Sequence, residues 1–122
     1  MDGACELCRQ DGGEVLHRDA ELRVVLVDDA GHPGFCRVIW NAHVREMSDL
    51  SEPQRARLMA VVWRVEAALR EVLRPDKVNL ASLGNMTPHL HWHVIARHAD
   101  DPQFPDAVWA PPRRAAEPSA LE

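Results

Sequence analysis

From Pro88 onward the chain reads Pro88, His89, Leu90, His91, Trp92, His93, Val94, Ile95. Strand side chains point alternately to opposite faces, with a period of two. On a strand, His89, His91 and His93 therefore share one face, while Leu90, Trp92 and Val94 share the other. On a helix the same spacing would scatter the imidazoles. Pro88 is acceptable at the first position of a strand. The stretch predicts a strand over His89–Ala96, with one apolar face that must pack on something and one face that lines up three rings.

The sequence supplies the packing partner. Ser51 followed three residues later by Gln54 is a capping-box pattern, and Pro53 falls in the first turn, where its missing N–H costs nothing. Leu58, Val61, Val62, Val65, Ala68, Leu69, Val72 and Leu73 then recur at helical steps, and Pro75 stops the helix after Arg74. Upstream, Glu21–Asp28 and Phe35–Trp40 are strand candidates. Asp29, Gly31, Pro33 and Gly34 lie between them, so the pair reads as an antiparallel hairpin with a wide loop. Lys77–Leu83 is a further strand, and Gly84 and Asn85 turn the chain into the histidine strand. The first dozen residues, ending at Asp11, Gly12 and Gly13, read as a short knuckle leading into a strand. After His98, Pro102, Pro105, Pro111, Pro112 and Pro118 predict irregular structure. One domain over residues 1–112 and a disordered tail over 113–122 are expected.

Composition narrows the function. A chain of 122 residues with 27% charged and 46% hydrophobic residues is an ordinary globular domain. Its net charge of -5, without a basic stripe, argues against binding a nucleic-acid polymer. A single nucleotide remains compatible, because one phosphate pocket needs only a few local donors. No apolar run approaches the ~18 residues of a membrane-spanning helix. The start has no basic segment followed by an apolar stretch, so a cytoplasmic protein with no membrane partner is expected.

Three neighbouring imidazoles cannot all be protonated cheaply, since like charges disfavour one another. A shared metal, mutual hydrogen bonds or a bound anion must stabilise the row. Cys5 and Cys8 are spaced C-x-x-C, which in a chain without an export signal reads as metal or redox chemistry. Cys36, alone in an apolar run, reads as a buried inert thiol.

The stretch from His89 to Ile95 resembles the histidine triad family, matching His-φ-His-φ-His-φ-φ at every position. The C-x-x-C opening, the hairpin with an acidic residue, the long helix, the strand containing Asn79 and the glycine loop follow in the family's order, so the resemblance covers about residues 5 to 110. It implies a single-domain α+β fold, an antiparallel sheet with one long helix packed on it, usually as a homodimer. It also implies hydrolysis or transfer at a nucleotide α-phosphate, with dinucleoside polyphosphates or nucleoside phosphoramidates as substrate types.

The resemblance also implies roles. His91, the middle histidine, would be the nucleophile. His93 would donate to the phosphate or the bridging oxygen, and His89 would orient its neighbours. Asp28, with Asp29 beside it, would accept from ribose hydroxyls; a turn-forming Asp pair is the other use of these residues. Asn85 would donate to a phosphate oxygen or cap a turn. Relatives with the knuckle complete a zinc site at positions that here are His43 and His89, giving Cys5, Cys8, His43 and His89 as a structural zinc set. In that case His89 is structural first and acts on catalysis through its neighbours.

Two positions depart from the pattern. Met86 stands where relatives carry a Ser or Thr that protonates the leaving group, and Phe35 stands where many carry a fourth histidine; His32 is nearby but out of register. A non-catalytic nucleotide- or zinc-binding module is therefore the alternative. A hydrolase with all three histidines on one catalytic metal is a third reading. Phe104 and Trp109, in a segment too irregular to form its own core, are expected at or beside a dimer interface, or folded on their own subunit as a lid.

Overall fold

The computed structural model describes residues 5–115. The knuckle contains a single helical turn, α1 (Glu6–Arg9), and leads into β1 (Glu14–Arg18). The hairpin follows as β2 (Leu22–Leu26) and β3 (Phe35–Trp40), and a 3₁₀ turn over Met47–Asp49 precedes the long helix α2 (Glu52–Leu73). β4 (Lys77–Ala81) and β5 (His91–Arg97) complete the sheet. The strand order is β1-β2-β3-β5-β4, and every neighbouring pair is antiparallel. The result is a single α+β domain with an antiparallel sheet and one long helix on it, as expected.

The helix ends are set by the residues that mark them in the sequence. The Gln54 amide donates to Ser51 Oγ at 3.3 Å, and the Ser51 amide donates to Gln54 Oε1 at 2.8 Å. Arg74 closes the helix in the left-handed region at φ 48°, and Pro75 prevents its continuation. Leu58, Val61 and Val62 bury against Leu22, Val24, Cys36, Val38, Trp40, Leu90 and Val94. Cys36 is buried, and desolvation pushes its thiol up to about 11, so it is inert. The expected apolar stripe is longer than the interface. Val72 is 73% exposed, because a helix of 22 residues spans about 33 Å, whereas the seven-residue β5 spans about 23 Å.

β1 is an edge strand with every residue exposed and a register shift between Val15 and His17. It has no buried face, so no alternation in the sequence marks its bounds. The other face of the sheet is capped by the knuckle, where Cys5 and Leu7 pack on Val25 and Ile39. Arg23, 5% exposed, ties the knuckle down by donating to the carbonyls of Leu7 (2.7 Å), Gln10 (3.0 Å) and Asp11 (3.0 Å). No helix among the described residues is long and apolar enough to cross a membrane.

Past β5 the chain is anchored by a buried ion pair. Arg97 donates to both oxygens of Asp101, at 2.7 and 3.0 Å, with the two side chains 2% and 5% exposed. Asp101 also accepts from the amides of Gln103 and Phe104. Only residues 113–115 of the expected tail are described. Arg113 donates its amide to the Pro102 carbonyl, and Arg114 donates to the carbonyls of Asp101 and Phe104. The rest of the tail call, 116–122, lies outside the described residues.

Burial raises the Asp101 pKa, but the Arg97 hydrogen bond, the Phe104 amide, the Arg97 charge and the Gln103 amide outweigh it and hold the carboxyl at about 2. A carboxyl depressed in the folded state stabilises above its ordinary pKa near 4, and that contribution, about 2 kcal/mol, is lost as pH falls towards 2. Asp101→Asn leaves Arg97 buried without its counter-charge, a loss of about 3–5 kcal/mol near neutrality. Thermal unfolding of the two proteins from pH 7 to pH 2 should show a wide gap that closes in acid. A gap of constant width would place the effect elsewhere.

Candidate functional site

The cysteines and two histidines meet at the base of the knuckle. His89 Nδ1 lies 3.2 Å from Cys5 Sγ and 3.4 Å from Cys8 Sγ, and His43 Nδ1 lies 3.3 Å from Cys8 Sγ. One ligand atom from each of Cys5, Cys8, His43 and His89 falls within 4.8 Å of all the others. A tetrahedral zinc with bonds of 2.0–2.3 Å separates its ligands by about 3.3–3.8 Å, so the donor set fits such an ion in number, chemistry and spacing. The tautomer fits as well. His89 Nε2–H donates to the Trp40 carbonyl at 2.6 Å, which leaves Nδ1 with the lone pair facing the thiolates. Among the described residues this is the one such cluster. His89, His91 and His93 do not form such a group together among the described residues, and His89 Nδ1 faces the cysteines instead.

His89 precedes β5 rather than lying in it, so the ladder begins at His91. His91 and His93 pair with Ile39 and Arg37 of β3 and share the knuckle-side face. Trp92 and Val94 turn to α2, with Trp92 Nε1–H directed at Met47 Sδ, 3.5 Å away. The histidine face is therefore formed as expected, but it is walled in rather than open. His89, His91 and His93 are 0%, 7% and 5% exposed.

His91 Nδ1–H donates to the His89 carbonyl at 2.5 Å. This fixes the tautomer and leaves Nε2 unprotonated. Burial holds the His91 pKa below its ordinary value, with the Arg37 charge acting in the same direction and the His89 carbonyl opposing. Burial, then the charges of His91 and Arg37, press His93 down to about 4. Both rings are neutral at physiological pH, so His91 presents a lone pair and His93 one N–H. The His93 ring is gripped edge to face by Phe35 at 5.7 Å, His91 at 4.9 Å and Trp109 at 5.0 Å. Its Nδ1 is buried and has no partner among the described residues.

The remaining expected residues are less closely held. Asp28 is exposed just beyond β2, while Asp29 makes the turn, accepting from the Gly31 amide and from His32 Nδ1. Asn85 is exposed on the loop leading to His89, and Met86 beside it is 95% exposed. Phe104 sits under the Arg97 guanidinium, and Trp109 lies on His93 of its own chain while remaining 52% exposed. Arg37 was not singled out in the sequence. Its signal was present, because Phe35, Arg37 and Ile39 share a face, and a lone guanidinium there interrupts an inward apolar row.

The HIT domain model matches residues 9–100. Among curated proteins, an AP-4-A phosphorylase of Mycobacterium tuberculosis is 30% identical over 98 residues, 75% of this chain and 50% of its own. The chain thus spans about half the length of the curated relatives it matches. A histidine triad protein from Bradyrhizobium japonicum superposes with a TM-score of 0.77 at 33% identity, covering 88% of this chain and 80% of that one. One from Marinobacter aquaeolei gives 0.77 at 28%, covering 94% and 82%. A zinc-bound histidine triad family protein from Mycobacterium smegmatis shares the fold, with a TM-score of 0.68 at 23% identity over 83% of this chain and 80% of that one.

Proposed function

The chain belongs to the histidine triad (HIT) family, and from that premise we propose that it is a nucleotide phosphohydrolase or nucleotidyl transferase working at an α-phosphate through a nucleotidyl-histidine at His91. The observation that carries this reading is the buried His91 ring, held by the His89 carbonyl with Nε2 unprotonated. A neutral, pre-oriented imidazole is the nucleophile that covalent phosphoryl chemistry requires. Nε2 forms a bond to the α-phosphorus while the bond to the leaving group breaks. Water then cleaves the P–N bond, releasing nucleoside monophosphate and restoring the ring. His93 offers an N–H to the oxygens that gain charge. Asp28 and Asn85 are proposed as contacts to the ribose and to phosphate.

Zinc is proposed as a structural ion on Cys5, Cys8, His43 and His89; when bound it ties the knuckle to the strand and neutralises two thiolates. The zinc-bound Mycobacterium smegmatis protein supports this assignment. A cytoplasmic location is proposed as well, and Cys5, Cys8 and Cys36 form no disulfide among the described residues. Assay against dinucleoside polyphosphates and nucleoside phosphoramidates is expected to release nucleoside monophosphate without an added catalytic metal. Nucleotide binding without turnover on any of them would assign the non-catalytic alternative.

A homodimer is part of the proposal. β4 is an edge strand, and Leu80, Leu83, Trp63 and Val72 stay exposed around it and on α2, a surface that needs cover. Light scattering should give a dimer at micromolar concentration, for the full chain and for a chain cut after Ala110. Cutting after Asp100 removes Asp101 and Trp109 and should weaken the dimer and lower activity together. A full-length monomer refutes it, and an unchanged dimer in the chain cut after Asp100 removes the part given to residues 101–109.

A further inference from the structure

Arg37 lies in the middle of β3 on the face that carries the triad. It pairs with His93 on one side and Val25 on the other. Phe35 and Ile39 flank it along its own strand, and the Arg37 side chain is half-buried there, with desolvation holding its pKa below the ordinary value. A guanidinium has five N–H donors. NH1 donates to the Gly12 carbonyl at 3.0 Å, while Nε is buried with no partner among the described residues. No carboxylate among the described residues is in ion-pair contact with it; Glu6 acts on it only through its charge. A desolvated cation without a bound counter-charge is costly, as is a buried donor without an acceptor.

A second orphan stands beside it. His93, 5% exposed, has a buried Nδ1 with no partner, and its backbone pairs directly with that of Arg37. Two unpaired polar atoms from facing positions of adjacent strands, next to the proposed nucleophile, describe a place for an acceptor-rich, negatively charged group. The Arg37 charge already acts on both imidazoles.

We infer that Arg37 and His93 form a phosphoryl-binding pair, in which the Arg37 Nε–H edge grips phosphate oxygens of the nucleotide next to His91. This deepens the proposed function and rests on it for the identity of the nucleotide. A planar guanidinium suits a tetrahedral anion because it donates in parallel from two nitrogens. Met86 supplies no donor, so a cation at Arg37 also gives the site a way to stabilise charge on the phosphate.

The test uses the full chain and two probes, pyrophosphate and adenosine, titrated calorimetrically into wild type, Arg37→Gln and Arg37→Lys. Pyrophosphate affinity should fall about tenfold or more in Arg37→Gln and several-fold in Arg37→Lys, with adenosine affinity unchanged. Thermal unfolding checks each variant, and Arg37→Lys carries the decision if the glutamine variant does not fold. Equal pyrophosphate affinity in wild type and the folded variants overturns the pair, as does a wild type that does not bind pyrophosphate. Loss of adenosine affinity alone would assign Arg37 to the nucleoside and overturn it too. Turnover is not read here. Arg37-dependent pyrophosphate binding in a chain without nucleotidyl transfer removes the enzyme reading and leaves the anion site standing.

Discussion

His91→Ala is expected to lower release of nucleoside monophosphate by about a thousandfold or more, with nucleotide affinity kept within a few-fold. The size follows from the role. A nucleophile makes its bond only in the transition state, so its loss falls on kcat and not on KM. The ring is 7% exposed and hydrogen-bonded to a main-chain carbonyl, so the alanine variant leaves a small void between Ile39 and His93 rather than an unpaired side chain. His91→Gly with added imidazole provides the control. Partial recovery of turnover identifies the missing group as the nucleophile, which a packing defect would not show. Near-wild-type turnover in His91→Ala would remove the covalent intermediate.

The second large effect concerns the knuckle. Full-length protein purified without chelator is expected to hold one zinc per chain, and Cys5→Ser with Cys8→Ser to hold none. Cys5 is buried in the small cluster with Leu7, Val25 and Ile39. Among the described residues, that cluster, the Arg23 donors, the Arg37 bond to the Gly12 carbonyl and the Arg18–Asp11 pair fasten the chain's start to the sheet. Loss of the ion should therefore free α1, expose Ile39 and lower the melting temperature by about ten degrees, in line with the folding energy that structural zinc supplies. Metal analysis and thermal unfolding check this. An unchanged zinc content in the double variant would relocate the site, and a metal-free wild type that melts no lower would remove it.

Local rules made the helix legible. Ser51, Gln54 and Pro75 act on residues next to them, and the structure follows them at both ends. The histidine alternation was equally local and placed His91 and His93 correctly. It did not show that His89 would lie before the ladder with its ring on Cys5 and Cys8, because those partners are more than eighty residues away. β1 carried no bounds in the sequence because an all-exposed strand needs no apolar face. Asp101 reads as one more acidic residue until Arg97, at the end of β5, is seen to turn inward towards it. Trp109 could be recognised as needing a surface, but which surface depended on where that ion pair set the chain down.

The hydrogen bond that aims His91 does not depend on the identity of its neighbour's side chain. The acceptor is the carbonyl of His89, an atom every amino acid possesses. No codon change at position 89 can delete it. A substitution there removes a metal ligand and a bond to Trp40, yet the group that aims the nucleophile persists as long as the chain keeps its path. Exchanging the side chain at 89 thus separates the metal site and the Trp40 bond from the aim of the nucleophile, whose acceptor stays in the main chain.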